Sequence, residues 1–200
     1  MANNIDYCNG SIIAMHGKDC VAIAVKGGNI NDSNKNLYKL GARLYLGLTG
    51  RLADILMAYK HLILRKNIFE LEKNRELLPK ELTLILSQLL YAHRLVPFQI
   101  EAVIVGMDPD TLEPHICSLG MIGYPNVTKD FVVAGHRHGP LLGLCKSLWR
   151  PSLNPSQLYD TIGQTMIQFC TSYISVGCGV DICLIEKYKI TERSLSIKPH

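Results

Sequence analysis

Short apolar runs separated by turn-forming residues open the chain. Runs at Ser11–Met15 and Val21–Val25 are rich in small and β-branched residues, and the intervening segment His16–Asp19 has hairpin chemistry. The polar stretch Lys26–Lys39, which holds two glycines and four asparagines, predicts a loop with at most short strand pieces. Strand character returns at Leu44–Thr49. The first fifty residues are therefore predicted to be strands joined by turns.

A helical spacing of apolar positions replaces this pattern after Thr49. Thr49 is predicted to cap a helix that runs to about Glu72, and Pro79 opens a second helix that ends before Pro97. The apolar stripes of the two helices are Leu52, Ile55, Leu56, Tyr59 and Ile63 in the first, and Leu82, Ile85, Leu86, Leu89 and His93 in the second. A helix pair therefore follows the first set of strands.

The second half of the chain predicts strands, a helix pair and a closing strand pair. The middle strands are predicted at Ile100–Met107, His115–Leu119, Met121–Tyr124 and Phe131–Gly135. A short helix at Pro140–Leu148 follows, and then a longer helix that Asn154, Pro155 and the capping-box residue Gln157 open. The closing strands are Val180–Ile185 and Lys189–Leu195.

This order of elements predicts the fold class. Two blocks of strands, separated and followed by helix pairs, indicate an α+β fold with two antiparallel sheets packed face to face and helices on both outer surfaces. That arrangement is a four-layer α/β/β/α sandwich. The chain has no internal repeat, low-complexity stretch or linker, so we predict a single domain over residues 10–200 after a short N-terminal extension, residues 1–9.

Composition narrows the classes of partner. Hydrophobic residues make up 48% of the chain and charged residues 19%, which is typical of a globular protein. A scattered net charge of +4 does not indicate a surface for nucleic acid or anionic membrane. No apolar run reaches the roughly 18 residues that span a bilayer, and the first ten residues lack an apolar signal core. We therefore expect a protein of the cytoplasm and nucleus that binds neither nucleic acid nor membrane.

The cysteines point to core packing. Seven cysteines, an odd number without CxxC spacing, indicate reduced and mostly buried thiols rather than disulfides or a zinc site. Cys178 lies between two glycines, but no base or electropositive neighbour is evident, so packing is favoured over a reactive thiol. We predict no cofactor.

Several strings of residues, in order along nearly the whole chain, resemble the beta subunits of the proteasome. The opening strings are Ile13–Gly17, Cys20–Ala24 and Arg43–Gly50. Later strings resemble the beta type-3 branch of that family in particular, namely Glu113–Leu119, Ile122–Gly123, Val127–Val133, Cys145–Trp149 and Ile185–Thr191. The resemblance implies the N-terminal-nucleophile hydrolase fold, a four-layer sandwich that agrees with the predicted element order.

The resemblance also implies where catalytic groups would lie. Catalytic members of the family attack with an N-terminal Thr, whose own amine acts as base, and an Asp and a Lys tune the site. Matched to that pattern, the nucleophile position falls on Gly10, the Asp position on Lys26 and the Lys position on Tyr38. Glycine has no attacking group, and Lys26 reverses the charge of the Asp. We therefore predict no catalytic residue and expect a non-catalytic subunit.

One alternative is an active peptidase or amidase whose N-terminus is processed to Ser11. It requires the removal of ten residues although no Gly-Thr processing signal is present, and Lys35 or Lys39 would have to replace the catalytic Lys. A second alternative is a free-standing binding or metal-sensing domain. We favour Ser11 as an ordinary strand residue and the two lysines as loop charges.

Two other groups of polar residues are weighed against simpler interpretations. His136 and His138 follow a strand end, but no carboxylate or thiol at short spacing completes a metal site, so we interpret them as a loop that faces a neighbouring subunit. Ser156 and Asp160 lack the GxSxG nucleophile elbow of a hydrolase triad, and a helix start explains Ser156. We predict no metal site.

Partners follow from the resemblance. It implies a place in the beta ring of the proteasome core particle, with two ring neighbours, the opposite beta ring, alpha subunits and assembly chaperones as partners in ATP-dependent, ubiquitin-dependent proteolysis. Non-catalytic members can also supply wall residues to the substrate pocket of an adjacent catalytic subunit. By position, the candidates are the turn Asp108–Asp110 and the strand that begins at His115.

Overall fold

Ten strands and four helices lie in the part of the chain that the computed structural model describes, residues 10–26, 36–173 and 178–197. At positions 173 and 178 only the backbone is described. The elements occur in the predicted order of strands, two helices, strands, two helices and strands. The predicted extension over residues 1–9 lies outside the described residues.

The strands form two five-stranded sheets in which all neighbours are antiparallel. The first sheet consists, in spatial order, of β10 (Ile190–Ile197), β9 (Cys178–Glu186), β2 (Cys20–Lys26), β1 (Ser11–Gly17) and β8 (Phe131–Gly135). The second consists of β3 (Leu37–Gly41), β4 (Leu44–Gly50), β5 (Ile100–Met107), β6 (Pro114–Leu119) and β7 (Pro125–Thr128).

Helix pairs cover the two outer faces. The helices are α1 (Leu52–Lys73), α2 (Pro79–Ala92), α3 (His138–Leu148) and α4 (Pro155–Tyr173). Buried side chains of α1 and α2 pack on the second sheet, those of α3 and α4 pack on the first, and a third apolar cluster fills the space between the sheets. The predicted α/β/β/α sandwich is therefore confirmed.

Local signals explain several helix starts. The backbone N–H of Asn154 donates to Gln157 Oε1 at 3.1 Å, as the predicted capping box requires. At the start of α2, Pro79 occupies the first turn, where its missing N–H costs nothing, and the N–H of Leu78 donates to Glu81 Oε2 at 3.0 Å. These contacts pair backbone donors that a helix N-terminus leaves without partners.

The prediction that Thr49 caps α1 is wrong. β4 continues through Gly50, α1 begins at Leu52 after Arg51 without a side-chain cap, and Thr49 is a buried strand residue. The chain can leave the strand and enter the helix here because Gly50 is a glycine. Its φ is +135° and its backbone approaches the carbonyl of Gln99 so closely that no side chain would fit. The chain therefore turns from strand to helix at a glycine.

The predicted apolar stripe of α1 is only partly buried. Ile55 lies in the core as predicted, together with Ala58 and Leu62, whereas Leu52 and Leu56 are exposed. α1 carries apolar residues on two sides, so periodicity alone does not decide which side meets the sheet. The sheet contacts the side that contains the small residue Ala58.

Two strand boundaries also differ from the prediction. Met121–Tyr124 is a turn, and the strand follows it at Pro125–Thr128. Gly123 requires the turn because its φ is +77° and an added Cβ would lie 2.5 Å from the carbonyl oxygen of Ser87. The predicted loop Lys26–Lys39 gives way to β3 from Leu37, a strand that pairs with β4.

No helix among the described residues has the length and apolar character needed to cross a membrane.

Candidate functional site

The predicted nucleophile position lies at the start of β1, between the two sheets. Ser11, the first residue of β1, pairs with Lys26 on β2 and with Gly135 on β8. Thr49 and Glu101 are cross-strand partners on β4 and β5, and both contact this end of the first sheet. The sheets therefore bring together residues that are distant in sequence.

A side chain at Gly10 would fit tightly. An added Cβ would lie 3.0 Å from Thr49 Oγ1, 3.1 Å from Asn36 Nδ2 and 3.5 Å from the carbonyl oxygen of Lys26. The carbonyl oxygen of Gly10 accepts hydrogen bonds from Thr49 Oγ1 at 3.1 Å and from the backbone N–H of His136 at 2.9 Å. A Cβ at this position would therefore be crowded by two side chains, and the peptide group is held by Thr49 of the second sheet and by the turn after β8 of the first.

Ser11, the alternative nucleophile, has its hydroxyl group engaged elsewhere. Its side chain is buried, with 2% exposure, and Oγ donates to the carbonyl oxygen of His136 at 2.9 Å. A carbonyl oxygen accepts a hydrogen bond but removes no proton, so this contact does not activate the hydroxyl for attack. The geometry is that of a strand residue that holds a neighbouring turn.

The positions matched to the catalytic Asp and Lys lie in different surroundings. Lys26 is the last residue of β2, and its carbonyl oxygen faces Gly10. Tyr38 lies on β3 and stacks on Tyr59 of α1 with ring centroids 4.2 Å apart, and burial beside Tyr59 raises the pKa of its phenol. The ring of Tyr38 therefore faces the helix layer. The assignment of these two positions stays a prediction.

Lys39 lies on the opposite face of β3 from Tyr38. Its Nζ is 4.0 Å from Glu192 Oε1 and 5.7 Å from the ring centroid of Tyr45. Tyr45 belongs to the cluster between the sheets, and burial, followed by its hydrogen bond to Glu192, raises the pKa of its phenol. Lys39 thus has an ion-pair partner on β10. Lys35, the other lysine considered for catalysis, lies outside the described residues.

A cavity of about 310 Å³ opens beside Gly10. Its lining includes Thr49, Gly50, Ile100, Glu101, Met121 and Gly135. Glu101 Oε2 accepts from the backbone N–H of Gly135 at 2.6 Å, and Thr49 Oγ1 donates to Gly10 as described above. Two polar side chains of the lining, Thr49 and Glu101, therefore bind the protein's own backbone.

Sequence reasoning missed the roles of Thr49 and Glu101. Their contacts to Gly10 and Gly135 span 39 and 34 positions of the chain, and only the packing of one sheet on the other creates them. A local pattern carries no signal for such contacts.

The turn after β8 is held by backbone contacts. His136 and His138 are exposed, and Arg137 between them has a left-handed backbone with φ of +55° and donates through Nε to His136 Nε2 at 3.4 Å. The described residues include no group of three or more His, Cys, Asp or Glu side chains arranged to hold a metal ion. The main chain of His136 bonds to Gly10 and Ser11, so this turn contributes structure to the site.

The two candidate wall elements differ in exposure. Asp108 Oδ1 accepts from the N–H groups of Asp110 at 2.9 Å and Thr111 at 3.0 Å, and the Thr111 contact is the main cause of its lowered pKa. His115 is buried, with Nε2 3.1 Å from Thr83 Oγ1, and burial lowers its pKa, with a smaller contribution from Lys80. The turn faces solvent, while the His115 ring faces α2.

The cysteines agree with the packing interpretation where the structure describes them. The buried cysteines among the described residues are Cys20, Cys117, Cys145, Cys170 and Cys183. Burial raises the pKa of Cys20 and Cys117 to about 11 and that of Cys145 and Cys183 to about 12. Such thiols are unreactive at neutral pH. The side chain of Cys178 lies outside the described residues.

Ser156 and Asp160 are exposed on the first turns of α4. Their place at a helix start is the one predicted for Ser156.

Comparison with known proteins identifies the family. A family model described as "Proteasome subunit" matches residues 8–185. The chain belongs to the proteasome subunit family. This finding confirms the resemblance and the fold class that the sequence predicts, and the order of strands and helices described above is consistent with it.

Three relatives of this proteasome subunit carry the name beta type-3. It is 42% identical over 198 residues to "Proteasome subunit beta type-3" of Drosophila melanogaster, a match that covers 96% of this chain and 97% of the relative. The protein of the same name from Caenorhabditis elegans is 30% identical over 200 residues, covering 97% and 98%. That from Saccharomyces cerevisiae is 30% identical over 195 residues, covering 94% and 95%.

Proposed function

We propose that this chain is a non-catalytic, structural beta subunit of the proteasome core particle. It forms part of the beta ring of the machinery for ATP-dependent, ubiquitin-dependent proteolysis. The observation that carries the proposal is the glycine at the position matched to the nucleophile, Gly10, where an added Cβ would be crowded at 3.0 Å from Thr49 Oγ1 and 3.1 Å from Asn36 Nδ2. A position without a side chain supplies no attacking oxygen.

The surroundings of Gly10 support the same conclusion. Nucleophilic catalysis of this type needs an attacking group, a base and a positioned charge together. Ser11 donates its hydroxyl proton to a backbone carbonyl, Lys26 carries a positive charge where active relatives carry a negative one, and Tyr38 stacks on a helix. Each departure alone would weaken catalysis, and together they leave no catalytic group. Processing to Ser11 is therefore not favoured.

Uncovered apolar side chains support a role inside an assembly. Large hydrophobic residues that are more than half exposed occur on α1, on the turn after α2 and before β7, among them Leu56, Leu64, Leu71, Leu95, Val96 and Tyr124. Permanent subunit interfaces bury apolar area of this kind. The partners we propose are two beta-ring neighbours, the opposite beta ring, alpha subunits and assembly chaperones, with the assembly in the cytoplasm and nucleus.

Different parts of the chain have different proposed roles. Residues 10–200 act as one domain and residues 1–9 as a short extension. The exposed turn Asp108–Asp110 is the better candidate for the wall of a neighbour's substrate pocket, because the ring of His115 packs against Thr83 and not toward the surface.

Native mass measurement of the tagged chain from its own cells tests membership of the particle. We expect the chain in a particle many times larger than its own 22.3 kDa. A free monomer would contradict ring membership and would favour a free-standing binding domain. In the same particle, Ser11→Ala should leave peptide hydrolysis unchanged, and a clear loss of hydrolysis would support the active-subunit alternative.

A further inference from the structure

The outer side of β10 is the longest sheet edge in the part of the chain that the structure describes. Each sheet has two edge strands, β10 and β8 in the first and β3 and β7 in the second. β10 has eight residues, compared with five in β8, five in β3 and four in β7. All of its residues pair with β9 in unbroken register, so the backbone groups that point away from β9 form one regular row.

Two of the other edges carry features that hinder pairing with another chain. The register of β3 shifts between Lys39 and Gly41, and β7 begins with Pro125, which has no N–H group to donate. β10 contains neither a proline nor a shift of register. An edge of this kind is a template on which a further strand can form.

Charged side chains often guard such an edge, but those of β10 are held by the chain itself. Glu192 Oε1 accepts a hydrogen bond from the hydroxyl group of Tyr45, on the side that faces the second sheet. The guanidinium of Arg193 lies on the opposite side, 5.5 Å from the ring centroid of Tyr159 on α4. Both charges therefore lie over the faces of the sheet and leave its backbone edge accessible.

A cleft of about 370 Å³ lies beside this edge, between β10 and β3. Asp181, Glu192 and Ser194 line it from the first sheet, and Leu37 lines it from the second. Asp181 is exposed, and its Oδ1 accepts from Ser194 Oγ at 2.5 Å. A side chain of an added strand can therefore enter the cleft next to a carboxylate.

The charges around the cleft favour a cationic side chain. Among the described residues, the ion pairs to its two carboxylates are limited to one, between Lys39 Nζ and Glu192 Oε1 at 4.0 Å, so Asp181 has no cationic partner there. Arg193 is turned toward α4. Lys26 follows Val25, which packs between the sheets, and alternation along β2 points Lys26 to the other face.

We propose that the outer edge of β10 binds an extended peptide segment of another protein, which adds as a strand and places a Lys or Arg side chain beside Asp181. The backbone hydrogen bonds of the added strand supply affinity for any extended segment. The carboxylate of Asp181 selects a basic side chain through a charge-assisted hydrogen bond.

Hydrogen exchange of the full-length chain, followed by mass spectrometry, tests the added strand with a defined probe. The probe is the capped hexapeptide Thr-Val-Lys-Val-Thr-Val, and its matched control is the same peptide with every backbone N–H methylated. The probe should slow exchange several-fold over Ile190–Ile197 and leave the control edge Pro125–Thr128 unchanged. Unchanged exchange over β10, or equal slowing by the methylated peptide, would overturn the proposal.

Asp181→Asn tests the selection of a basic side chain. Asn keeps an acceptor oxygen for Ser194 but loses the charge, so the Kd of the probe should rise about two- to fivefold by fluorescence anisotropy. Asp130→Asn removes an exposed carboxylate beside β8, at the other edge of the same sheet, and should leave Kd unchanged.

A second peptide, in which Glu replaces the Lys, should bind wild-type protein more weakly than the probe does. Equal Kd values of the two peptides for wild type would contradict a basic partner. Exchange over Ile190–Ile197 that slows as the concentration of the chain itself rises, without peptide, would instead assign the edge to a second copy.

Discussion

The two helix layers use their apolar residues differently. On α4, Leu158, Ile162, Met166 and Phe169 are fully buried against the first sheet, whereas Ile167 is 40% exposed, so most of the helix's large apolar residues are used inside the chain. On α1, Leu64 and Leu71 are 62% and 83% exposed although the opposite side of the same helix packs on the second sheet. One layer stabilises the fold, and the other also offers apolar surface to a partner.

The two helix layers should differ most in the loss of unfolding free energy that a Leu→Ala substitution causes in each. Leu158→Ala removes a side chain with no exposed area and should destabilise the chain by about 2–5 kcal/mol, because it leaves a cavity against the first sheet. Leu71→Ala should change the free energy of unfolding by less than about 0.5 kcal/mol. Urea unfolding of the two variants measures both. Similar losses would contradict the division between the layers.

Substitutions on the exposed side of α1 should affect incorporation into the particle more than they affect stability. Leu64→Asp with Leu71→Asp places charges on the uncovered face of α1 and should reduce incorporation into the particle several-fold, because burying an unpaired charge at an interface is costly. The unfolding free energy of the isolated chain should change little. Quantitative mass spectrometry of purified particles measures incorporation, with Arg65→Asp as an exposed control that lies about 100° around the same helix from Leu64. Normal incorporation of the double variant would show that this face meets no subunit.

The free energy of unfolding should depend on pH through His115, whose ring contacts Thr83 of α2. Burial lowers the folded-state pKa of His115, so the unfolded chain binds more protons in acid. The stabilisation is complete above the unfolded pKa of about 6.5 and is lost as pH falls toward the folded value, with a slope of at most about 1.4 kcal/mol per pH unit. His16, whose pKa burial also lowers, adds to the same trend.

Chemical denaturation between about pH 5 and pH 8, the range in which histidine titrates, measures this pH dependence of stability. His115→Gln should flatten the profile, whereas the exposed control His138→Gln should not. An unchanged profile in His115→Gln would assign the acid sensitivity to other groups.

The smallest effect on peptide hydrolysis is expected at Gly10. Gly10→Thr adds a side chain whose Cβ lies 3.0 Å from Thr49 Oγ1 and 3.1 Å from Asn36 Nδ2, so both neighbours must move by a few tenths of an ångström. We expect a loss of about 1–3 kcal/mol in unfolding free energy, and no gain of peptidase activity, since Lys26 has the opposite charge to the Asp for which we propose this position. Hydrolysis assays of particles with this variant would contradict the account if a new activity appeared.

Elements that depend on interactions between neighbours in sequence are predicted well, and features that depend on distant contacts are not. Alternating and continuous apolar runs place β1, β5 and β8 well, because each strand's pattern reflects burial along its own length. The pattern fails at Met121–Tyr124, an apolar string that the positive φ of Gly123 turns away from the sheet. A single backbone angle there outweighs the side-chain pattern.

The candidate site shows the same limit. The absence of a nucleophile at Gly10 is read from residue identity alone, but the crowding of this position by Thr49 and Asn36 arises from strands that meet only in the folded protein. Thr49 resembles a helix cap in sequence because it precedes an amphipathic segment, yet its hydroxyl binds the carbonyl of Gly10.

Covalent labelling of the intact particle tests the architectural role most directly. A peptide-like inhibitor that reacts with N-terminal nucleophiles, followed by mass spectrometry of each subunit, reports which chains carry an attacking group. We predict an adduct on the catalytic subunits of the particle and none on this chain, whose Gly10 should remain linked to Asn9. An adduct on this chain, or a mature N-terminus at Ser11 that carries the inhibitor, would contradict the account.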